Sequence, residues 1–337
     1  MEKTAAAAGC RSGEWTLAEA EVLGRSVLRA PSVHNTQPWR VELTDGAVLL
    51  RERTDVALPR HDPLRRDLAM SCGTALANLE LAVRVLGRRA EVAMLPDPEQ
   101  TDVVARVEAG EPSPPTDQEL QRYGAIMVRR SHRGAFTGLP VSATQTARVV
   151  AAAVTTGAEA TRLNGMERLA KLFEHAARAL QDDGAYQREL ALWTIRDEAA
   201  HRHGAGMRFS ALPPGELPWA GLVRRATVVP DPVLLRERLE AETLLLFTTA
   251  DDARLDHIRA GYALERCWLE GVTLGLAGAV LTQPLRVPEV RSALCEDYQL
   301  AGFPQALLRL GRSTRVAPAS LRRGVAEVLG EKWRERR

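Results

Sequence analysis

Two segments that can be laid over one another without a gap constrain this chain most. "GTALANLELAVRVLG" (residues 73–87) and "GYALERCWLEGVTLG" (residues 261–275) align with Gly261 on Gly73, Ala263 on Ala75, Leu264 on Leu76, Leu269 on Leu81, Leu274 on Leu86 and Gly275 on Gly87. Each carries apolar residues at helical spacing on more than one face, which predicts a long helix buried on most sides. The match suggests duplication; because alanine and leucine dominate helices in general, a chance match is the alternative for this pair of segments taken alone. The order of elements around them argues for repetition, because each part reads as helix, strand, long central helix, strand. The reading is an α+β protein whose two similar halves pack like the subunits of a dimer, a pseudo-dimer within one chain.

Local signals fill in the halves. "TLAEAEVLGRSVLRA" predicts a helix capped by Thr16, and "WRVEL" and "AVLLR" predict a hairpin across Asp45-Gly46, a pair suited to positive φ. Asp62-Pro63 predicts the N-cap and first residue of the first long helix. Strands are expected at residues 90–95, 103–108 and in "TLLLFTT", and helices from Asp117 and after Ser142. The proline-rich "EPSPPTD" marks the boundary between a first half, residues 1–116, and a second, residues 117–337.

Composition excludes several classes. With 45 basic and 43 acidic residues spread along 337, the chain has no electrostatic footprint of a general nucleic-acid binder. Cys10, Cys72, Cys267 and Cys295 form no C-x-x-C pair and read as unpaired thiols, which fits a reducing cytoplasm. Neither a secretory leader nor a membrane span is expected, since no run of about 18 apolar residues occurs. No G-x-G-x-x-G or P-loop follows a predicted strand, and His201 and His203 lack a third ligand nearby, so no Rossmann domain and no metal site is expected.

Two polar motifs carry the chemistry. In "APSVHNTQPWRVEL", Pro31 and Pro38 stiffen a loop holding Ser32, His34, Asn35 and Gln37. The Asn35 and Gln37 amides each offer a donor and an acceptor, a pattern that suits the pyrimidine edge of a flavin, and a turn satisfying its own backbone uses the same residues. In "RRSHRGAF", Arg129, Arg130 and Arg133 surround Ser131, and guanidinium forks suit a phosphate dianion; a solvated basic face has the same composition.

Together "PSVHNTQPW" and "RRSHRGAF" resemble the nitroreductase family of FMN-dependent oxidoreductases, in particular its Acg-like branch of NAD(P)H nitroreductases, and "GYALERCWLEGVTLGLAGAVLTQPL" and "FPQALLRLGR" extend the resemblance over most of the chain. The resemblance implies a nitroreductase-like fold in which both halves supply an FMN site that the family's homodimers build between subunits. Carried over, Arg129, Ser131 and Arg133 are expected near the phosphate, ribityl chain and pyrimidine end of FMN. Pro31, Ser32, Asn35 and Gln37 are expected to flank the ring from the other half, residues 279–283, with Thr282 and Gln283, to lie beside it, and Arg322 and Arg323 to meet the phosphate.

The second half lacks a matching Asn/Gln loop, "VTTGAEATRL" standing in its place, so one FMN per chain is expected. An insertion at about residues 181–231 is long enough to be a lid. The cofactor carries the redox step, so no acid–base residue is assigned. The implied function is transfer of hydride or electrons from transiently bound NAD(P)H to a nitroaromatic, quinone or similar small-molecule acceptor. The alternative is an FMN-holding protein whose lid keeps substrates out. A monomer or weak homodimer follows from the pseudo-dimer.

Overall fold

The structure is a computed structural model describing residues 14–196, 204–212 and 223–330. Its first half runs α1 (Leu17–Leu28), β1 (Trp39–Thr44), β2 (Ala47–Glu52), α2 (Arg66–Val85), β3 (Arg88–Met94) and β4 (Val103–Pro112), followed by α3 (Asp117–Val128). The second runs α4 (Ala143–Ala151), β5 (Glu159–Arg162), α5 (Met166–Asp182), α6 (Gly184–Leu192), β6 (Thr194–Ile195), β7 (Met207–Arg208), α7 (Pro232–Glu240), β8 (Thr243–Thr249), α8 (Arg254–Thr273), β9 (Ala277–Leu281), α9 (Pro288–Asp297) and β10 (Phe303–Gly311), ending in α10 (Val325–Leu329).

Helix starts follow local chemistry. Thr16, Thr116 and Ser142 each accept from the backbone N–H three residues on, and the Glu or Gln there accepts from the cap's own N–H, so the first orphan donors of α1, α3 and α4 are satisfied. The expected start of α2 at Asp62-Pro63 is corrected. A turn closed by Arg65 N–H on the Asp62 carbonyl (3.1 Å) delays the helix to Arg66, with Arg65 at φ 56°. Asp62 still caps it, its carboxylate accepting from Leu68 N–H at 2.8 Å. In the β1–β2 hairpin only Gly46, at φ +70°, takes the positive angle expected of the pair.

The two main sheets share one topology. The first has strand order β1-β2-β4-β3 and the second β5-β8-β10-β9, both antiparallel throughout; in each, the third strand in sequence lies at an edge and the long helix leads into it. Between them α2 and α8 cross at their glycines. A Cβ on Gly73 would lie 2.1 Å from the Ile258 carbonyl oxygen, and one on Gly261 would lie 1.9 Å from that of Met70. Met70 and Ile258 occupy corresponding positions in the alignment, so each helix meets the other with the same face, as in a two-fold interface. α2 is apolar and long enough to cross a membrane by length and composition, and it is buried as the centre of this core.

Each half reaches onto the other. α3 packs on both α2 and α8, and α10 returns from the end of the second half to cover α1 and β1. These crossings bring the loop after α1, the segment after α3 and the end of β9 to one place.

Candidate functional site

The loop between Pro31 and Pro38 is pinned by α2 and held in an unusual conformation. His34, Asn35 and Gln37 have φ of 47°, 56° and 52°, left-handed angles that cost an L-residue about 1 kcal/mol or more each. Thr74 Oγ1 donates to the Pro31 carbonyl at 2.7 Å, Val33 N–H to Ser71 Oγ at 3.2 Å, and Gln37 N–H to Ser32 Oγ at 3.0 Å.

That conformation sends the amides away from the cleft. Asn35 Nδ2 donates to the carbonyls of Gly206 and Leu321, both at 3.0 Å, and its Oδ1 accepts from the Arg322 guanidinium. Gln37 Nε2 donates to the Gly204 carbonyl at 2.8 Å, and its Oε1 accepts from Arg323 N–H at 3.0 Å. Expected to flank a flavin ring, these two amides here fasten residues 204–206 of the insertion and the C-terminal segment to the loop. Neither outcome open at the sequence level, flavin edge or local turn, describes this long-range use.

Pro31, Ser32 and His34 do line a cleft of about 800 Å³, a volume that includes its open mouth. Facing them from the second half are Ser131, Arg133, Leu264, Trp268 and the end of β9, residues 279–283, Thr282 and Gln283 among them. The segment after α3 is fixed there because His132 N–H donates to the Gly278 carbonyl at 2.8 Å. Met207 of the insertion also lines the cleft, and the described part of residues 181–231 holds a small apolar cluster of Tyr186, Leu190, Met207, Leu212 and Val223. His201 and His203 lie outside the described residues.

Beside Trp268 on the cleft wall is a knot of arginines, Arg129 buried and the others half-buried. Arg129 and Arg322 both donate to the Arg29 carbonyl, and the guanidiniums of Arg29, Arg129, Arg130 and Arg322 repel one another. Arg129 lies 4.5 Å over the Trp268 ring, and its carboxylate neighbour is Glu265, 3.2 Å away without hydrogen-bond alignment. Burial first, then Arg129 and Arg29, pushes Arg322 down to about 9; burial alone pushes Arg133 down to about 10. Arg133 has no ion pair or hydrogen bond among the described residues. Arg323, expected beside Arg322 at the phosphate, is not in this knot: its side chain pairs with Glu327 at 3.6 Å. Arg29, just before the loop, was missed because its place depends on α3 and the C-terminal segment arriving beside it.

Sequence reasoning also missed a polar chain on the cleft wall. His34 Nε2 meets His61 Nδ1 at 3.1 Å, His61 Nε2 meets Asp67 Oδ2 at 3.0 Å, and Thr282 Oγ1 donates to Asp67 Oδ2 at 2.8 Å. Burial lowers both imidazoles well below the ordinary histidine value and raises the Asp67 carboxyl. At the corresponding place, the start of α8, ion pairs stand instead, Arg291–Asp252 at 2.6 Å, His257–Asp252 at 3.0 Å and Arg254–Glu52 at 2.9 Å, and Glu52, Asp252, Arg254 and His257 line a second, charged pocket.

No family model matches the chain. Among curated proteins, "Putative NAD(P)H nitroreductase Rv3131" of Mycobacterium tuberculosis (strain H37Rv) is 31% identical over 314 residues, covering 91% of this chain and 89% of its own. "Putative NAD(P)H nitroreductase acg" of the same organism is 27% identical over 323 residues, covering 92% and 94%. Among solved structures, an FMN-bound nitroreductase from Bacteroides fragilis is 16% identical over 62% of this chain and 97% of its own, with a TM-score of 0.41. With two similarly ordered sheets around paired long helices and this degree of likeness to Rv3131, the chain belongs to the nitroreductase family, in the branch that includes Acg.

Proposed function

We propose that the cleft holds FMN and that the protein is an NAD(P)H-dependent oxidoreductase acting on a flat small-molecule acceptor such as a nitroaromatic or quinone. The observation that carries this reading is the arginine knot: Arg29, Arg129, Arg130 and Arg322 cluster with one carboxylate, Glu265, which faces Arg129 and Arg322, and Arg129 lies over Trp268, a wall of the cleft built by both halves. Clustered cations in excess of carboxylates attract an anion, and a phosphate dianion is the group that guanidinium forks match best. Ser131, Arg133 and Ser32 would hold the polar body of the cofactor, and Trp268, Leu264 and residues 279–281 offer apolar surface to its ring. When bound, FMN supplies two-electron chemistry, taking hydride from NAD(P)H; the chain binds, orients and shields it.

The second half's lack of a matching Asn/Gln loop, and the placing of the arginine cluster beside one cleft, support one FMN per chain. The repeated strand order supports descent of the halves, residues 1–116 and 117–337, from a duplicated unit, with α3 and α10 exchanged between them as in a dimer with swapped ends. Buried, unpaired Cys72 and Cys267 fit a cytoplasmic protein. The second reading, an FMN-holding protein, draws support from Met207 and the packed insertion at the cleft.

The test is the absorbance spectrum of the purified protein followed by anaerobic NADPH addition. A yellow protein bleached by NADPH, and reoxidised by a quinone or nitroaromatic, supports the oxidoreductase. A yellow protein that NADPH leaves unchanged favours the holding function, and a colourless protein that does not take up added FMN overturns both.

A further inference from the structure

The atoms joined along the cleft wall permit only certain proton arrangements. An ionised Asp67 has no proton to give, so His61 donates to it through Nε2. His61 Nδ1 is then an acceptor, and His34 must donate to it through Nε2. That leaves His34 Nδ1 as a lone pair with no hydrogen-bond partner among the described residues, on a ring that lines the cleft. One added proton reverses every bond: it sits on Asp67, His61 donates to His34 through Nδ1, and His34 offers an Nδ1–H to the cleft. Neither imidazole is charged in either state.

We infer that His34, His61 and Asp67 form a proton relay, with His34 the catalytic donor at the cleft and His61 and Asp67 the residues that position and load it. The inference rests on the oxidoreductase reading above. Reduction of a quinone by NAD(P)H consumes one proton beyond the hydride, acceptor + NAD(P)H + H⁺ giving the hydroquinone and NAD(P)⁺. A nitro group consumes the same proton, the broken N–O bond leaving as water with the nitroso product. The relay delivers this proton in three linked transfers. His34 Nδ1–H passes to the acceptor, His61 Nδ1–H to His34 Nε2, and the Asp67 proton to His61 Nε2, ending in the ionised state; water in the open cleft reloads it.

Burial supports this division, since it disfavours charge on both rings and favours the proton on Asp67. The surrounding charges are those of Arg133 and Arg286 toward His34, Arg286 toward His61, and Arg286, Arg66, His257 and the Asp62 carboxyl, itself raised to about 6, around Asp67. Glu189 accepts from His61 N–H and keeps that ring stacked on Tyr186 at 5.9 Å between centroids.

The test uses full-length protein as purified, labelled with ¹⁵N-histidine. Long-range ¹H–¹⁵N spectra of the wild type should show His34 as the Nε2–H tautomer at high pH and switching to Nδ1–H as pH falls, without passing through imidazolium. In Asp67→Asn the amide donates to His61 Nε2, so both rings should be held as Nδ1–H at every pH. Thr282→Val, which removes a donor to the carboxylate, should move the wild-type switch to higher pH. In turnover with NADPH and a quinone, His34→Asn and Asp67→Asn should lower kcat about 100-fold and abolish the wild type's loss of kcat at high pH. Unchanged tautomers in Asp67→Asn, or a kcat and pH profile of His34→Asn within twofold of wild type, would overturn the relay. If Asp67→Asn does not fold, His34→Asn and Thr282→Val decide, asparagine being suited to the left-handed backbone. A tautomer switch in a protein without NADPH-dependent turnover would support the relay while removing the oxidoreductase reading.

Discussion

Gly73 and Gly261 meet each other's helix backbone rather than side chains, their missing Cβ atoms falling 2.1 Å from the Ile258 carbonyl oxygen and 1.9 Å from that of Met70. A backbone carbonyl cannot rotate away as a side chain can. Alanine at either position gains about 0.5–1 kcal/mol of helix propensity but forces α2 and α8 apart, which costs about 3 kcal/mol or more, so a net loss of about 2 kcal/mol is expected. Urea unfolding measures it. The double variant should lose less than the sum, because helices already separated by one methyl accept the second.

The second prediction concerns Arg309, fully buried in β10, whose Nε donates to Glu242 at 2.8 Å and whose guanidinium lies 4.5 Å from the Phe136 ring. Glu242→Ala strands that cation and should cost about 3–5 kcal/mol, whereas replacing both partners by apolar residues of similar volume should recover most of it. Thermal unfolding of the single and double variants separates the two.

Glu265 sets a pH dependence. Burial pushes its carboxyl up to about 7 against the pull of Arg129 and Arg322, from 4.5 when exposed. The folded state therefore binds more protons than the unfolded one over this interval, and the contribution of Glu265 to stability falls as pH rises from about 4.5 to about 7. Glu265→Gln should remove that slope. Wild-type and variant denaturation midpoints, compared across this range, should converge or diverge accordingly; parallel curves would place the carboxyl's titration elsewhere.

Arg133→Ala should weaken FMN retention more than the fold, since a lost charge-assisted contact costs about 1.5–3 kcal/mol, or about 10- to 150-fold in Kd. Fluorescence titration of flavin-stripped protein reads the affinity, with circular dichroism as the check on folding. An unchanged Kd would take Arg133 out of the site.

For Asn35 the expected effect is indirect. Asn35→Gly keeps the left-handed backbone free of strain while removing the amide that holds Gly206, Leu321 and Arg322. Limited proteolysis should cut faster near residues 321–323, and FMN affinity should drop through the released Arg322. Faster cleavage without any change in affinity would separate Arg322 from the phosphate.

What the sequence determined by itself was whatever depends on neighbours a few residues away or on repetition. Thr16, Thr116 and Ser142 cap helices because the donors they satisfy lie three residues on. The glycines at 73 and 261 could be paired because a repeat keeps its spacing, and the loop and arginine motifs could be recognised because their residue types are unusual together. Tertiary structure decided where those residues point. Asn35 and Gln37 turn from the cleft because left-handed backbone, invisible in residue identity, reverses their direction, and Asp62 caps α2 from beyond a turn that no local rule requires. His61, Asp67 and Thr282 join across 215 positions of sequence between the last two, and Arg29 enters the arginine knot only once α3 and the C-terminal segment pack beside it. A hydrogen bond between distant residues leaves no periodicity or motif in either partner's neighbourhood; only the packing of the halves creates it.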